Sequence, residues 1–146
     1  MRRLRITTRR GALKLADDLA QPHPKEWLDR EYWRVDARGL LGAYFCLAGI
    51  DRRCGRPQQV TMSSVHRWVE ARALLDDPVI ADLISIGMAG DAEAASMATY
   101  AAYRLQAVAG CSERVVDAKF FAVAWPLGLA DDYGWELRPR LVEASS

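Results

Sequence analysis

The sequence lacks the short motifs that mark most enzymes and metal centres. It has no CxxC pair, no glycine-rich phosphate or dinucleotide loop, and no HExxH or GxSxG pattern. Only two histidines, His23 and His66, are available beside three widely spaced cysteines, Cys46, Cys54 and Cys111. These absences predict free thiols, no metal or other cofactor, and a protein that is not an enzyme.

Long apolar runs are also absent. A helix that crosses a bilayer needs about 18 or more mostly apolar residues, and the nearest approach, residues 94–103, is shorter and rich in alanine. The basic N-terminus is not followed by the apolar segment of a signal peptide. The sequence therefore predicts a soluble, cytoplasmic protein that does not act in a membrane.

What is present is the composition of an ordinary globular domain. The chain has 146 residues, of which 51% are hydrophobic and 27% charged. A domain of this size buries about two-thirds of the surface that its unfolded chain exposes. We therefore expect one domain that needs neither a disulfide nor a metal to fold.

Charge is distributed unevenly although the net charge is only +1. Residues 1–15 carry six basic and no acidic side chains, residues 37–75 carry six and two, and residues 76–100 carry none and five. Lysine is scarce, since 17 of the 20 basic residues are arginine, whose paired donors suit phosphate and carboxylate groups. GC-rich codons explain the excess of arginine over lysine equally well, but they do not explain the clustering.

Apolar residues at helical spacing predict an all-α, single-domain bundle of six or seven helices. Local signals suggest where these helices begin: after Pro22-His23-Pro24, at a capping Asp36, at Thr61, at Asp77-Pro78, at Asp91 and at Ser112. The expected helices cover 11–21, a segment starting near residue 24, 36–50, 61–75, 78–88, 92–109 and 112–124, with a loop over 51–59. We expect 92–109 to be the central buried helix.

The chain therefore divides into three predicted regions, which are a basic extended arm (1–10), the helical domain (11–134) and an extended C-terminal tail (135–146). Apolar and polar residues alternate from Arg3 to Thr7, so Leu4 and Ile6 share one face of an extended chain and anchor it to the domain. A short alternating stretch at 135–137 could pair with the arm as a minor two-stranded element.

Two basic regions are candidates for binding a polyanion. One is the arm, and the other combines the 51–59 loop with the following helix start, where hydroxyls and free backbone amides favour anions. The candidate nucleic-acid-binding residues are Arg2, Arg3, Arg5, Arg9, Arg10, Arg52, Arg53, Arg56 and Arg67. Alternatively, the loop arginines pair with the acidic 76–100 segment of the same molecule.

The residues around Arg67 resemble a recognition helix, but the ten-residue connection at 51–60 is too long for a helix-turn-helix, which uses about three or four residues. His66 and Glu70 are four apart and are interpreted as a surface pair rather than as an acid–base couple.

Three functions remain open, of which the least favoured is a small cytosolic helical enzyme that uses Cys54 or His66. The first is a non-enzymatic interaction protein that docks on nucleic acid or a ribonucleoprotein through its arginines. The second is a helical adaptor or inhibitor that binds another protein through the acidic 76–100 face and an exposed tryptophan, for which Trp135 is the candidate.

Overall fold

The computed structural model describes residues 4–20, 30–55, 59–124 and 126–128, and this part of the chain contains six α-helices and no strand. The helices are α1 (Arg9–Leu19), α2 (Arg30–Arg53), α3 (Met62–Ala71), α4 (Pro78–Met88), α5 (Ala92–Ala109) and α6 (Glu113–Ala124). The all-α prediction is therefore confirmed for the described residues. The boundary at 134 and the segment 135–137 lie outside them.

Helices α4 and α5 begin where the capping signals predicted. The carboxylate of Asp77 accepts from the backbone amides of Val79 and Ile80 at 2.9 and 3.1 Å, with Pro78 in the first turn. Asp91 accepts from the amide of Ala94 at 2.9 Å in the same way. These side chains satisfy amides that the first helical turn leaves without a partner, which is why the helices start there.

Three other predicted boundaries were wrong. Helix α1 starts at Arg9 rather than residue 11, because Thr8 is the cap and its Oγ1 accepts from the amide of Gly11 at 3.0 Å. Arg9 and Arg10 therefore lie in the first helical turn and not in the extended arm. Asp36 caps nothing, since α2 runs continuously through it to Arg53 and so also takes up the start of the predicted loop.

Helix α3 is shorter than expected and ends at Ala71 instead of residue 75. Its C-cap is Arg72, which has a left-handed backbone conformation with φ of 52°. Its start agrees with the prediction, because Thr61 is the N-cap and the Oγ of Ser64 accepts from the amide of Thr61 at 3.1 Å.

The centre of the bundle is α2 and not α5. Every residue from 39 to 51 is buried, whereas α5 buries one face and leaves Tyr103 on the other face 69% exposed. Helices α1 and α5 approach α2 at Gly42, where a Cβ atom would lie 2.8 Å from the Cδ2 of Leu13. A side chain at this position would therefore require the ends of the Leu13 and Tyr100 side chains to shift.

Two ion pairs attach α6 to the rest of the bundle. Lys119 Nζ lies 2.6 Å from Asp36 Oδ1 of α2, which gives Asp36 its observed role. Arg72 Nη1 lies 2.7 Å from Asp117 Oδ1, and the Asp117 side chain is only 2% exposed.

Candidate functional site

The described part of the N-terminal arm packs against α2. Ile6 is 5% exposed and its Cγ2 lies 3.1 Å from the position that a Cβ on Gly49 would occupy. Leu4 is half-buried against the same core, while Arg5, between them, is exposed. The arm is thus held by its apolar face and presents Arg5 to solvent.

Hydrogen bonds connect the end of the arm, the start of α1, the last turn of α2 and the start of α5. Arg53, in the last turn of α2, donates from Nη1 to the carbonyl of Thr7 at 3.0 Å and from Nε to both oxygens of Asp91 at 2.9 and 2.8 Å. Glu93, in the first turn of α5, accepts from the backbone amide of Arg9 at 2.6 Å. The two basic stretches of the sequence therefore meet at one end of the bundle.

Four arginines at this end form what we call the end cluster: Arg5 in the arm, Arg9 and Arg10 at the start of α1, and Arg52 at the end of α2. The first three side chains are exposed and Arg52 is half-buried. Within the described residues none of the four side chains makes a hydrogen bond or an ion pair.

Arg53 lies among these residues but is already engaged. The backbone amide of Ala94 and then the Arg53 guanidinium lower the pKa of Asp91 below its ordinary value of 3.8, so Asp91 remains ionised and paired at neutral pH. This contact is the alternative that the sequence left open, in which a loop arginine pairs with the acidic segment.

The acidic 76–100 segment is largely committed to such internal contacts. Asp77 caps α4, Asp91 caps α5 and pairs with Arg53, and Glu93 caps α1. Three of its five carboxylates therefore stabilise helix ends. The same segment also exposes apolar side chains, with Val79 at 53% and Met88 at 56%.

Arg67 lies apart from the end cluster, in surroundings that do not favour an anion. It lines a cleft of about 350 Å³ together with the carboxylates of Asp51 and Asp77, and its Nη2 lies 3.4 Å from Ser64 Oγ. The neighbouring Trp68 is 7% exposed and packs on the Tyr44 ring at 5.4 Å between centroids. Helix α3 therefore buries the tryptophan that gave it the look of a recognition helix.

The remaining predicted residues divide into two groups. Arg2, Arg3, Arg56 and Trp135 lie outside the described residues. His66 and Glu70 are both described, and no hydrogen bond joins them there. No group of three or more histidine, cysteine or acidic side chains that could hold a metal occurs in the described ranges, and no helix there is long and apolar enough to cross a membrane.

All three thiols are free. Burial raises the pKa of the Cys46 thiol from 9.0 to about 12, so Cys46 is not a nucleophile at neutral pH. Cys54 and Cys111 are half-buried.

One feature was not predicted from the sequence, namely a cavity of about 470 Å³ between the arm, α1 and the first residue of α3. It is lined by Leu4, Arg5, Ile6, Gly11, Leu15, Leu19 and Met62. The spacing of Gly11, Leu15 and Leu19 at every fourth position is the sequence signal that could have indicated one side of it.

Comparison with known proteins finds no matching protein family, no similar curated protein and no similar solved structure. A function for this chain can therefore be proposed only from its fold and its surface chemistry.

Proposed function

We propose that this chain is a non-enzymatic interaction protein that docks on a polyanion, nucleic acid or a ribonucleoprotein, through the end cluster. The observation that supports this most directly is the placement of Arg5, Arg9, Arg10 and Arg52 at one end of the bundle, where none of the four side chains has a hydrogen-bond or ion-pair partner among the described residues. Arginine side chains of this kind bind phosphate oxygens and position a protein on nucleic acid without reading bases.

Arg2, Arg3 and Arg56 are neighbours of the cluster in sequence and belong to the same proposal. Arg53 contributes less, because its guanidinium already holds Asp91. Arg67 is a weak candidate because carboxylates share its cleft. The proposal includes a cytoplasmic location, in keeping with the free thiols.

The test is a salt titration of binding to duplex DNA and to single-stranded RNA. Each phosphate neutralised by an arginine contributes about 0.7 to 0.9 to the slope of log affinity against log salt concentration. Replacing Arg9, Arg10 and Arg52 with glutamine should therefore lower the slope by about 2 to 3 and weaken binding most at low salt.

A matched variant removes three arginines outside the end cluster by changing Arg38 of α2, Arg104 of α5 and Arg114 of α6 to glutamine. It loses the same charge, so it separates the end cluster from the effect of net charge. We expect this control to keep a steeper slope than the end-cluster variant. Equal slopes in the two variants, or no binding by the wild type at low salt, would refute docking through the end cluster.

The second candidate is an adaptor or inhibitor that binds another protein through the 76–100 segment, with Trp135 as a further anchor. It is favoured by the exposed apolar side chains of Val79 and Met88 and by Tyr103 on α5. Because the carboxylates of Asp77, Asp91 and Glu93 already accept hydrogen bonds at helix starts, the contact with a partner protein would be more apolar than the sequence suggested. Partner binding of this type would be nearly insensitive to salt and would be weakened by Met88→Glu.

A further inference from the structure

Most of the described side chains that line the cavity beside the arm are apolar. Apart from Gly11, its lining side chains are five apolar residues and one arginine: Leu4, Ile6, Leu15, Leu19, Met62 and Arg5. Its volume of about 470 Å³ lies in the usual range of small-molecule sites, about 300 to 1,000 Å³. Such a lining favours a ligand with an apolar body.

The shape of the cavity follows from the spacing along α1. Gly11, Leu15 and Leu19 lie four residues apart and so follow one side of the helix over about 12 Å. Gly11 has no side chain, which leaves space at the end of the row nearest the arm. Leu4, Leu15, Leu19 and Met62 are half-buried rather than buried, so solvent reaches this cavity, which we call the groove.

Charge distinguishes the arm end of the groove from the rest. Arg5 is its only charged lining residue among those described, and its side chain is exposed without an ion pair. Aromatic side chains, on which nucleobases stack, are absent from the described lining. The groove therefore does not have the chemistry of a base-binding site, although it adjoins the end cluster.

We propose that this groove binds a single-chain anionic amphiphile, an unbranched alkyl carboxylate whose chain lies along Gly11, Leu15 and Leu19 and whose head group contacts Arg5. This ligand matches both properties of the groove, a row of apolar side chains and a cation among its described lining residues. The proposal is independent of polyanion docking except that the two share Arg5.

The probes are octanoate, decanoate and dodecanoate, each kept below its critical micelle concentration and measured by calorimetry. Affinity should increase between about twofold and about fourfold for each added methylene, the upper value applying to full burial, until the groove is filled. In a methyl NMR spectrum the Met62 methyl signal should shift, while that of Met88, exposed on α4, should not.

Variants separate the contribution of the ligand's alkyl chain to binding from that of its carboxylate head group. Leu15→Trp fills the groove and should abolish decanoate binding, with circular dichroism as the test of folding. Met62→Glu should also abolish decanoate binding, because its carboxylate repels the anionic ligand. This variant replaces Leu15→Trp in the test if Leu15→Trp fails to fold. Arg5→Gln should weaken decanoate about threefold and leave decanol unchanged, whereas Arg104→Gln, another exposed arginine, should change neither.

Three outcomes would overturn the proposal: affinity that does not rise with chain length, equal shifts at both methionines, or binding only to micelles or vesicles. Its failure is distinguishable from failure of the proposed function. The Arg9, Arg10 and Arg52 variant should bind decanoate like the wild type, and Leu15→Trp should retain the salt-dependent binding of nucleic acid.

Discussion

Replacement of Arg72 tests the contact that joins α3 to α6. Arg72→Ala removes the cation 2.7 Å from Asp117, whose side chain is 2% exposed. Removing one member of a fully buried pair costs about 3 to 5 kcal/mol. Because the Arg72 side chain is 34% exposed, water reaches the site and we expect a smaller loss of unfolding free energy, about 2 to 3 kcal/mol.

Arg72→Gly makes the same deletion but also relieves the backbone. Arg72 is the only described residue other than glycine with a positive φ, 52°, and the left-handed conformation costs a residue with a Cβ about 1 kcal/mol or more. The glycine variant should therefore be about 1 kcal/mol more stable than the alanine variant.

Urea unfolding followed by circular dichroism measures both differences, and thermal midpoints should fall by about 2 to 4 °C for each kcal/mol. Adding Asp117→Asn to Arg72→Ala removes the buried negative charge that faced Arg72, so the double variant should be no less stable than Arg72→Ala alone. The reasoning is refuted if Arg72→Ala costs less than about 0.5 kcal/mol, the range of an ordinary surface change, or if glycine and alanine are equally stable.

Three further predictions concern single positions. Ala101→Arg places a charge at a site with 0% exposure and should abolish soluble expression, whereas Ala109→Arg, at an exposed position near the end of the same helix, should express normally. Iodoacetamide at pH 8 should modify two thiols of the folded protein, Cys54 and Cys111, and spare Cys46. Mass spectrometry should then find two adducts on the native protein and three on the protein treated in urea. The pKa of Asp91 is lowered on folding, so this carboxylate stabilises the protein above pH 3.8, and that contribution is lost as the pH falls further. The Asp91→Asn variant should therefore be less stable than the wild type at pH 7, and it should lose less stability than the wild type on acidification. Thermal midpoints of both proteins measured against pH test this.

Helix starts were predictable from the sequence where the deciding contact is local. Asp77 and Asp91 accept hydrogen bonds from amides two or three residues along the chain, so the capping pattern alone gave the bounds of α4 and α5. The burial of one side of α3 and the exposure of Arg5 between Leu4 and Ile6 also follow from periodicity, because side-chain direction repeats with the backbone.

Asp36 shows why the same reasoning fails elsewhere. Its local context is that of a cap, yet its partner is Lys119, 83 residues away, and α2 continues through it. Arg53 likewise resembles a free loop cation until α5 brings Asp91, 38 residues further on, within 2.8 Å. The sequence alone determined the all-α class and the positions of α4 and α5, because capping and apolar periodicity depend on neighbours within about one turn. Only the tertiary structure decided which arginines keep their charge available for a partner, since carboxylates distant in the chain neutralise a cation only after packing brings the two together.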